Sequence, residues 1–170
     1  MIELLILHEL TKKTLTMYGI SKEIHKKFSV LTTPSYGTIK PALTRLTKSG
    51  FVKSQKTMSA GGRPSVYYSI TNLGEEEFIA LILSALQDNP IQFLTTARIR
   101  LSCAENLDSK YKLSLYKLLK NKCDSILIDT KALIDDESIN FHQKLVLDNL
   151  LCEYKNFILL LEGFERACKN

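Results

Sequence analysis

The chain has 170 residues, of which 45% are hydrophobic, and this is enough for one ordinary domain or for a small domain with a helical extension. It has no apolar run of about 18 residues, so a membrane-spanning helix is not expected. The apolar segment at residues 1–7 is too short for a signal peptide and carries Glu3 where such a peptide has basic residues. These features predict a cytoplasmic protein.

The net charge of +5 is distributed unevenly along the chain. Residues 11–70 contain nine Lys and two Arg against one acid, Glu23, and therefore carry a net charge of +10. Residues 84–170 contain 12 bases and 12 acids and are neutral overall. Positive charge concentrated in one segment is typical of a surface that contacts nucleic-acid phosphates, and a solvated surface is the alternative.

The sequence contains no pattern typical of a catalytic or metal site. None of the four cysteines belongs to a Cys-x-x-Cys pair or has a His at ligand spacing, which predicts reduced, mostly buried thiols, with a redox-sensing thiol as the alternative. The chain has no phosphate-binding glycine loop and no nucleophile with a nearby His and acid. We therefore expect neither an enzyme nor a protein that holds a metal ion or a cofactor.

Two helices are predicted at the start of the chain. Residues 2–10 are apolar nearly all round, which is typical of a buried helix. In a second helix, from about Met17 to Phe28, the apolar residues Ile20, Ile24 and Phe28 recur at steps of four and define one face. A turn rich in Ser and Thr follows at residues 29–33.

A third helix is predicted from about Pro34 to Ser49. Thr33 is the expected N-cap, Pro34 the expected first helical residue, and Gly50 the expected stop. Pro41 lies inside this helix, where it cannot donate to the carbonyl of Gly37, so a bend or a looser first turn is expected there. The apolar face is formed by Ile39, Leu43 and Leu46.

A β-hairpin is predicted after the third helix. Residues 51–56 and 66–70 are rich in strand formers, and the segment between them contains a glycine pair that permits a sharp turn. Arg63 is expected at the tip, where a polyanion can reach it. Two helices joined by a short turn and followed by a hairpin with a basic tip form a winged helix-turn-helix, which is typical of DNA binding.

The rest of the chain is predicted to be helical. Thr71 is the expected N-cap of a fourth helix, and further helices are expected at about 90–105, 109–133 and 138–168. The predicted fold class is mainly α with a small β-hairpin wing. We expect a winged-helix DNA-binding domain at residues 1–87 and a helical domain for dimerisation or effector binding at residues 88–170.

The N-terminal half of the chain resembles the PadR family of bacterial transcriptional regulators. Residues 17–20, Met-Tyr-Gly-Ile, keep the tyrosine and the aliphatic position of the family's Gly-Tyr-Glu-Leu. Residues 37–46 read Gly-Thr-Ile-Lys-Pro-Ala-Leu-Thr-Arg-Leu, where the family has Gly-Thr-Leu-Tyr-Pro-Ala-Leu-x-Arg-Leu. Residues 61–74 match the wing pattern Gly-Gly-Arg-Pro-x-x-Tyr-Tyr-x-hydrophobic-Thr-x-x-Gly. The C-terminal half matches the longer branch of the family in length and in helical character.

The third helix and the wing supply the residues predicted to contact DNA. In the major groove, Thr38 and Lys40 are candidates for base edges and Lys48 for a phosphate. Lys40 replaces the family's tyrosine, which leaves the base preference open. Arg45 is predicted either to reach a phosphate or to pair with an acid inside the domain. The full predicted set is Ser35, Tyr36, Thr38, Lys40, Thr44, Arg45, Lys48, Gly61, Gly62 and Arg63. The alternatives are capping and packing for Ser35 and Tyr36, and a solvated face for Thr38, Lys40, Thr44 and Lys48.

The resemblance implies a repressor that binds a palindromic operator as a homodimer and responds to a small-molecule effector. The apolar stripe predicted to form the dimer interface is Leu150, Tyr154, Phe157, Leu161 and Phe164, with a monomeric helical bundle as the alternative. Two other functions stay open, an activator and a winged-helix module that binds a protein instead of DNA. The sequence does not identify the effector.

Overall fold

The computed structural model describes residues 1–58, 62 and 64–169. Its helices are α1 Ile2–Lys12, α2 Met17–Phe28, α3 Tyr36–Lys48, α4 Asn72–Leu83, α5 Pro90–Cys103, α6 Ser109–Ile134 and α7 Phe141–Lys169. Its strands are β1 Leu15–Thr16, β2 Val52–Met58 and β3 Pro64–Ile70. The predicted fold class, mainly helical with a small β-hairpin, is confirmed. Within the described residues, no helix is both long and apolar enough to cross a membrane.

The chain forms two compact units. The N-terminal unit consists of Met1–Ser84 and Leu94–Glu105, and the C-terminal unit consists of Ala85–Phe93 and Asn106–Asn170. Helix α5 therefore contributes residues to both units. The division into a DNA-binding domain and a dimerisation domain at residue 87 stays a prediction.

Helix α1 forms the centre of the N-terminal unit. Every side chain from Leu4 to Leu10 is buried, and the helix contacts α2, α3 and α4. The apolar faces predicted for the second and third helices are buried as expected, and their residues are Ile20, Ile24, Phe28, Ile39, Leu43 and Leu46. Burial of these faces fixes which sides of α2 and α3 remain exposed to solvent.

Helix α3 begins two residues later than predicted. Ser35 is its N-cap, with an extended backbone, and the amides of Thr38 and Ile39 both donate to the carbonyl of Ser35. Pro34 consequently lies outside the helix, and Thr33 is not the cap. The helix continues through Pro41 to Lys48.

A partly buried ion pair joins α1 to α2. The carboxylate of Glu9 is 0% exposed, and its Oε2 accepts from Nζ of Lys27 at 2.5 Å. Lys27 also pairs with Glu23, which in turn pairs with Lys13 at 3.0 Å. Burial, reinforced by neighbouring lysine charges, lowers the pKa of His8 to about 4, so this imidazole is neutral inside the unit near neutral pH. These contacts hold α2 in a fixed position on the core.

The three strands form one antiparallel sheet in the order β1-β3-β2. Strand β2 pairs with β3 from Val52 opposite Ile70 to Met58 opposite Pro64. Strand β1 has only two residues, too few for an alternating pattern, and it was not predicted. Beyond Val52, every side chain of β2 is exposed, so the hairpin projects from the core as a wing.

The end of the wing is fastened to helix α4 by Thr71 and Gly74. The predicted N-cap is confirmed, because the hydroxyl of Thr71 accepts from the amide of Gly74 at 3.1 Å. The same hydroxyl donates to the carbonyl of Gly50 at 2.8 Å. The carbonyl oxygen of Phe51 lies against the Cα of Gly74, and a Cβ at this position would be 2.1 Å from it. Only glycine therefore fits here without movement of the backbone.

Helices α6 and α7 pack along each other in the C-terminal unit. Tyr154 is 0% exposed, its ring stacks on Phe93 at 6.2 Å between centroids, and its hydroxyl donates to the carbonyl of Pro90 at 3.0 Å. On α6, Leu115 and Leu119 are fully buried. This unit therefore has its own apolar core within a single chain.

Candidate nucleic-acid interface

One side of helix α3 is exposed and carries four of the predicted residues. With 3.6 residues per turn, residues four apart lie on one side of a helix. This side presents Tyr36, Lys40, Thr44 and Lys48, which are all exposed. Ser35 is exposed just before the helix, and Thr38 and Arg45 are exposed on its other flank. The predicted residues of α3, together with Ser35, therefore occupy one solvent-facing surface opposite the buried apolar face.

The threonine hydroxyls of this surface bond to the helix itself. Oγ1 of Thr38 donates to the carbonyl of Ser35 at 2.8 Å, and Oγ1 of Thr44 donates to the carbonyl of Lys40 at 3.0 Å. Their hydroxyl hydrogens are therefore occupied, while the oxygen lone pairs remain available. In this arrangement the two threonines present acceptors and methyl groups, and the hydrogen-bond donors of the surface come from other side chains, among them Lys40 and Lys48.

Arg45 forms the ion pair that was one of its two predicted roles. Its Nε donates to Oε1 of Glu3 at 2.7 Å, although 60% of the Arg45 side chain remains exposed. Contact with a phosphate stays a prediction for this residue. Since Glu3 partly neutralises it, Arg45 contributes less positive charge to the surface than its exposure suggests.

The acids of the N-terminal unit neutralise some of its lysines and leave others without an ion pair. Lys12 pairs with Glu105, and Lys13 and Lys27 pair with Glu23. The chain has no acid between Glu23 and Glu75. Within the described residues, six lysines of this unit have no ion pair, and we call them the unpaired lysines: Lys22 and Lys26 on α2, Lys40 and Lys48 on α3, and Lys53 and Lys56 on β2.

Only two of the unpaired lysines were predicted as contact residues. The positive segment was predicted as a whole, but contact residues were predicted only on α3 and the wing tip, so the lysines of α2 and β2 were not among them. Tyr18 is also exposed, to 66%, in the first turn of α2, and it was not among the predicted contact residues.

Part of the predicted wing tip lies outside the described residues. Gly61 and Arg63 are both in this category. Gly62 is exposed and has a φ of 73°, in the left-handed region that glycine adopts without steric cost. The exposed part of the wing that the structure describes thus consists of Gly62, residues 53–58 of β2 and Pro64 of β3.

The five residues predicted for dimerisation are divided between the interior and the surface of the C-terminal unit. Tyr154, Phe157 and Leu161 are buried within the single chain, while Leu150 is half-buried and Phe164 is exposed. Other large apolar side chains of this unit are exposed on α6 and α7, and they are Ile128, Leu133, Phe141, Leu145, Val146, Leu159 and Leu160. We call these seven residues and Phe164 the exposed apolar set.

Two cavities lie in the C-terminal unit. One has a volume of about 240 Å³ between α6 and α7, with Tyr116 and Leu161 in its lining together with Lys120, which pairs with Glu162 at 2.9 Å. The other has a volume of about 370 Å³ where α6 gives way to α7, and its lining is mainly apolar. In the part of the chain that the structure describes, no cluster of three His, Cys, Asp or Glu side chains could hold a metal ion.

The fold and its surface define a class of protein. A helix-turn-helix followed by a two-stranded wing, with positive charge on the third helix and the wing, is the arrangement of winged-helix DNA-binding proteins. Residues 6–80 match the model of the transcriptional regulator PadR-like family. The chain belongs to this family, whose members are transcriptional regulators that bind DNA.

Solved structures similar to the chain include other regulators. A PadR family transcription regulator from Clostridium difficile R20291 is 30% identical over 45% of this chain and 78% of its own, with a TM-score of 0.41. PadR of Bacillus subtilis in complex with operator DNA is 19% identical over 98% of both chains, with a TM-score of 0.45. A Streptococcus mutans UA159 protein is 20% identical over 95% of this chain and 96% of its own, with a TM-score of 0.46. No curated protein is similar enough to this chain to count as a match.

Proposed function

We propose that the protein binds operator DNA through helix α3 and the wing and represses transcription as a homodimer. The observation that carries the DNA contact is the set of unpaired lysines. The acids of the N-terminal unit neutralise cations elsewhere, whereas α3 and β2 keep exposed lysines in a stretch of chain that has no acid. Such a surface binds phosphates with release of counterions.

The proposed docking places α3 in the major groove. Lys40 can donate to the O6 and N7 acceptors of guanine, which is a common lysine contact to a base. Thr38, whose hydroxyl hydrogen is occupied, would accept from a base or contact a thymine methyl. Lys48, in the last turn, would contact a phosphate, and the wing residue Arg63 would contact a phosphate or the adjacent minor groove.

The salt dependence of binding tests the DNA contact. The wild-type protein should bind duplex DNA from upstream of its own gene with a Kd that rises steeply with salt. Lys48→Ala should weaken binding to all sequences and reduce the slope of log Kd against log salt by about one unit, since one phosphate contact is lost. The measurement is fluorescence anisotropy with labelled duplex at several salt concentrations.

Lys110→Ala is the matched control, because it removes the same charge from an exposed position at the start of α6, in the other unit and away from the exposed apolar set. It should leave both the affinity and the slope unchanged. If the wild-type protein bound no duplex, or bound with no salt dependence, the DNA-binding proposal would be wrong and a protein-binding module would be the better interpretation. A footprint on the upstream DNA would also show whether the operator is palindromic.

The proposed dimer interface is formed by the exposed apolar set. One winged helix reads too few base pairs to select one genomic site, and a two-fold dimer doubles the contacts and matches a palindrome. A soluble chain rarely leaves so many large apolar side chains exposed on two adjoining helices unless a partner covers them. Tyr154, Phe157 and Leu161 are buried inside the single chain and cannot contact a second copy. We therefore assign the contacts with the second copy to the exposed apolar set.

Leu159→Asp tests the dimer. Leu159 is 62% exposed, so a carboxylate there should be tolerated by the single chain but not by an apolar interface. We expect a monomer at micromolar concentration by light scattering, with DNA affinity reduced about 100-fold because only one half-site is held at a time.

Asn106→Asp introduces the same charge at an exposed polar position of the C-terminal unit outside α6 and α7, and is the control. It should remain dimeric. A Leu159→Asp variant that stays dimeric would remove Leu159 from the interface, and a monomeric wild-type protein would contradict the homodimer.

Repression and release by a small molecule complete the proposal. Transcript levels of the neighbouring genes in a deletion strain should rise for a repressor and fall for an activator. The candidate effector sites are the two cavities of the C-terminal unit, whose volumes suit a small ligand. To release DNA, an effector must bind a dimer geometry that cannot bind DNA more tightly than it binds the DNA-binding geometry.

A further inference from the structure

Helix α3 contains two residues that are unfavourable in helices, and both are exposed. Gly37 and Pro41 lie one turn apart, on the side opposite the buried Ile39 and Leu43. Relative to alanine, glycine and proline disfavour a helix interior by about 1 and about 3 kcal/mol respectively. A helix that keeps both on one face either needs them for its own fold or uses them for contact with another molecule.

Gly37 has no role in the fold that requires glycine. Its φ is not in the left-handed region, unlike those of Gly50 and Gly62. A Cβ at Gly37 would meet only Oγ of Ser35, at 3.4 Å, which is an ordinary van der Waals distance. The contrast is Gly74, whose Cα is covered by a backbone carbonyl. Alanine should therefore fit at position 37, and it should favour the helix.

Pro41 has no role in the core either. It is exposed, whereas its neighbour Ala42 is buried. Because proline lacks an N–H, the carbonyl of Gly37 loses the donor that it would have in a regular helix. The two residues thus act on the same turn and replace polar or flexible side chains by a flat apolar surface, which we call the Gly37–Pro41 patch.

We propose that the Gly37–Pro41 patch is the part of helix α3 that lies closest to duplex DNA. This inference rests on the proposed DNA binding and adds that contact depends on the absence of a side chain at Gly37 and on the rigid ring of Pro41. We assign DNA as the partner of the patch because unpaired lysines lie near it. Lys40 lies on one flank, and Lys48 lies about two helical turns beyond Pro41. The long lysine side chains extend beyond the patch, because Gly37 has no side chain and the ring of Pro41 is short. Their ammonium groups can therefore bind DNA while the helix backbone lies close to the groove.

Gly37→Ala should make the protein more stable and a poorer DNA binder. The melting temperature should rise by about 1–3 °C, since alanine restricts the unfolded chain and favours the helix. The Kd for the upstream duplex should rise about tenfold or more, because an added methyl group separates the helix from the groove. The slope of log Kd against log salt should not change, since no charge is removed.

Ser114→Ala is the matched control. Ser114 is exposed on α6 and its hydroxyl donates to the carbonyl of Lys110, so alanine there also favours a helix but lies in the other unit. It should raise the melting temperature without any effect on the Kd. Pro41→Ala is the second variant, and it should fold at least as stably as the wild-type protein and bind DNA several-fold more weakly as the ring contact is lost.

Four outcomes would overturn the proposal, and they can be told apart. An unchanged Kd for Gly37→Ala would show that no close contact occurs at this residue, and an unchanged Kd for Pro41→Ala would show the same for the ring. A lowered melting temperature for Gly37→Ala would show that the fold itself needs this glycine. If the wild-type protein binds no duplex, the proposed function is overturned as well. If the wild-type protein binds duplex and Gly37→Ala binds it equally tightly, only the close contact is overturned.

Discussion

Replacing Gly74 with alanine should reduce the free energy of unfolding of the N-terminal unit by about 3 kcal/mol, at the upper end of the cost of overpacking. The new Cβ would lie 2.1 Å from the carbonyl oxygen of Phe51 and 2.8 Å from Cγ1 of Ile70. That carbonyl is fixed, because it accepts from the amide of Thr71 at 3.0 Å. The strain must therefore displace backbone at the start of α4, and urea unfolding monitored by circular dichroism would measure it.

Gly163→Ala is the control for the glycine change. Gly163 lies in helix α7, and a Cβ there would meet no atom within 4 Å, so alanine should be neutral or slightly stabilising in the single chain. A loss below about 1 kcal/mol for Gly74→Ala would mean that the wing and α4 separate easily, which would contradict the close packing of Phe51 on Gly74.

Lys27→Met should reduce the free energy of unfolding by about 2–3 kcal/mol, because it leaves the buried carboxylate of Glu9 without its cation. The usual cost of breaking a buried pair is discounted here, since 33% of the Lys27 side chain is exposed and solvent screens part of the interaction. Methionine keeps most of the apolar part of the lysine side chain. The decrease in the free energy of unfolding therefore measures the effect of removing the ammonium charge. Chemical denaturation at neutral pH is the measurement.

Two further variants separate the ion pair from other effects. Lys26→Met changes a neighbouring lysine that has no ion pair within the described residues, and it should cost little. The double variant Glu9→Gln/Lys27→Met removes the charge from both partners and should recover part of the loss. Equal losses for Lys26→Met and Lys27→Met would show that the ion pair with Glu9 contributes nothing specific.

The helices could be predicted from the sequence because each buried face repeats at helical spacing. The stripe of α2 at Ile20, Ile24 and Phe28 is an example. The same periodicity led to the prediction that Tyr154, Phe157 and Leu161 contact a second chain, although they are buried within their own. A repeating apolar stripe indicates that a face is buried, but it does not indicate whether the covering helix belongs to the same chain.

The charge of the candidate interface could be predicted only as a total. Whether a particular cation is neutralised depends on acids that are distant in the sequence. Arg45 pairs with Glu3, 42 residues away, and Lys27 pairs with Glu9, 18 residues away. No local pattern reveals these pairs, so the sequence assigned Arg45 two roles and missed the lysines of α2 and β2, whose charges are not matched by an acid.

The position of β2 at one edge of the sheet bears on whether molecules of the protein can aggregate through this strand. One side of this strand has no neighbouring strand within the described residues, so its backbone could pair with the same strand of another molecule. Lys53 and Lys56 project from opposite faces of β2, and like charges brought together there would oppose such pairing. Substitutions that neutralise both lysines would remove this protection together with any phosphate contact. Weaker DNA binding by such a variant should therefore be interpreted only after its aggregation state has been measured.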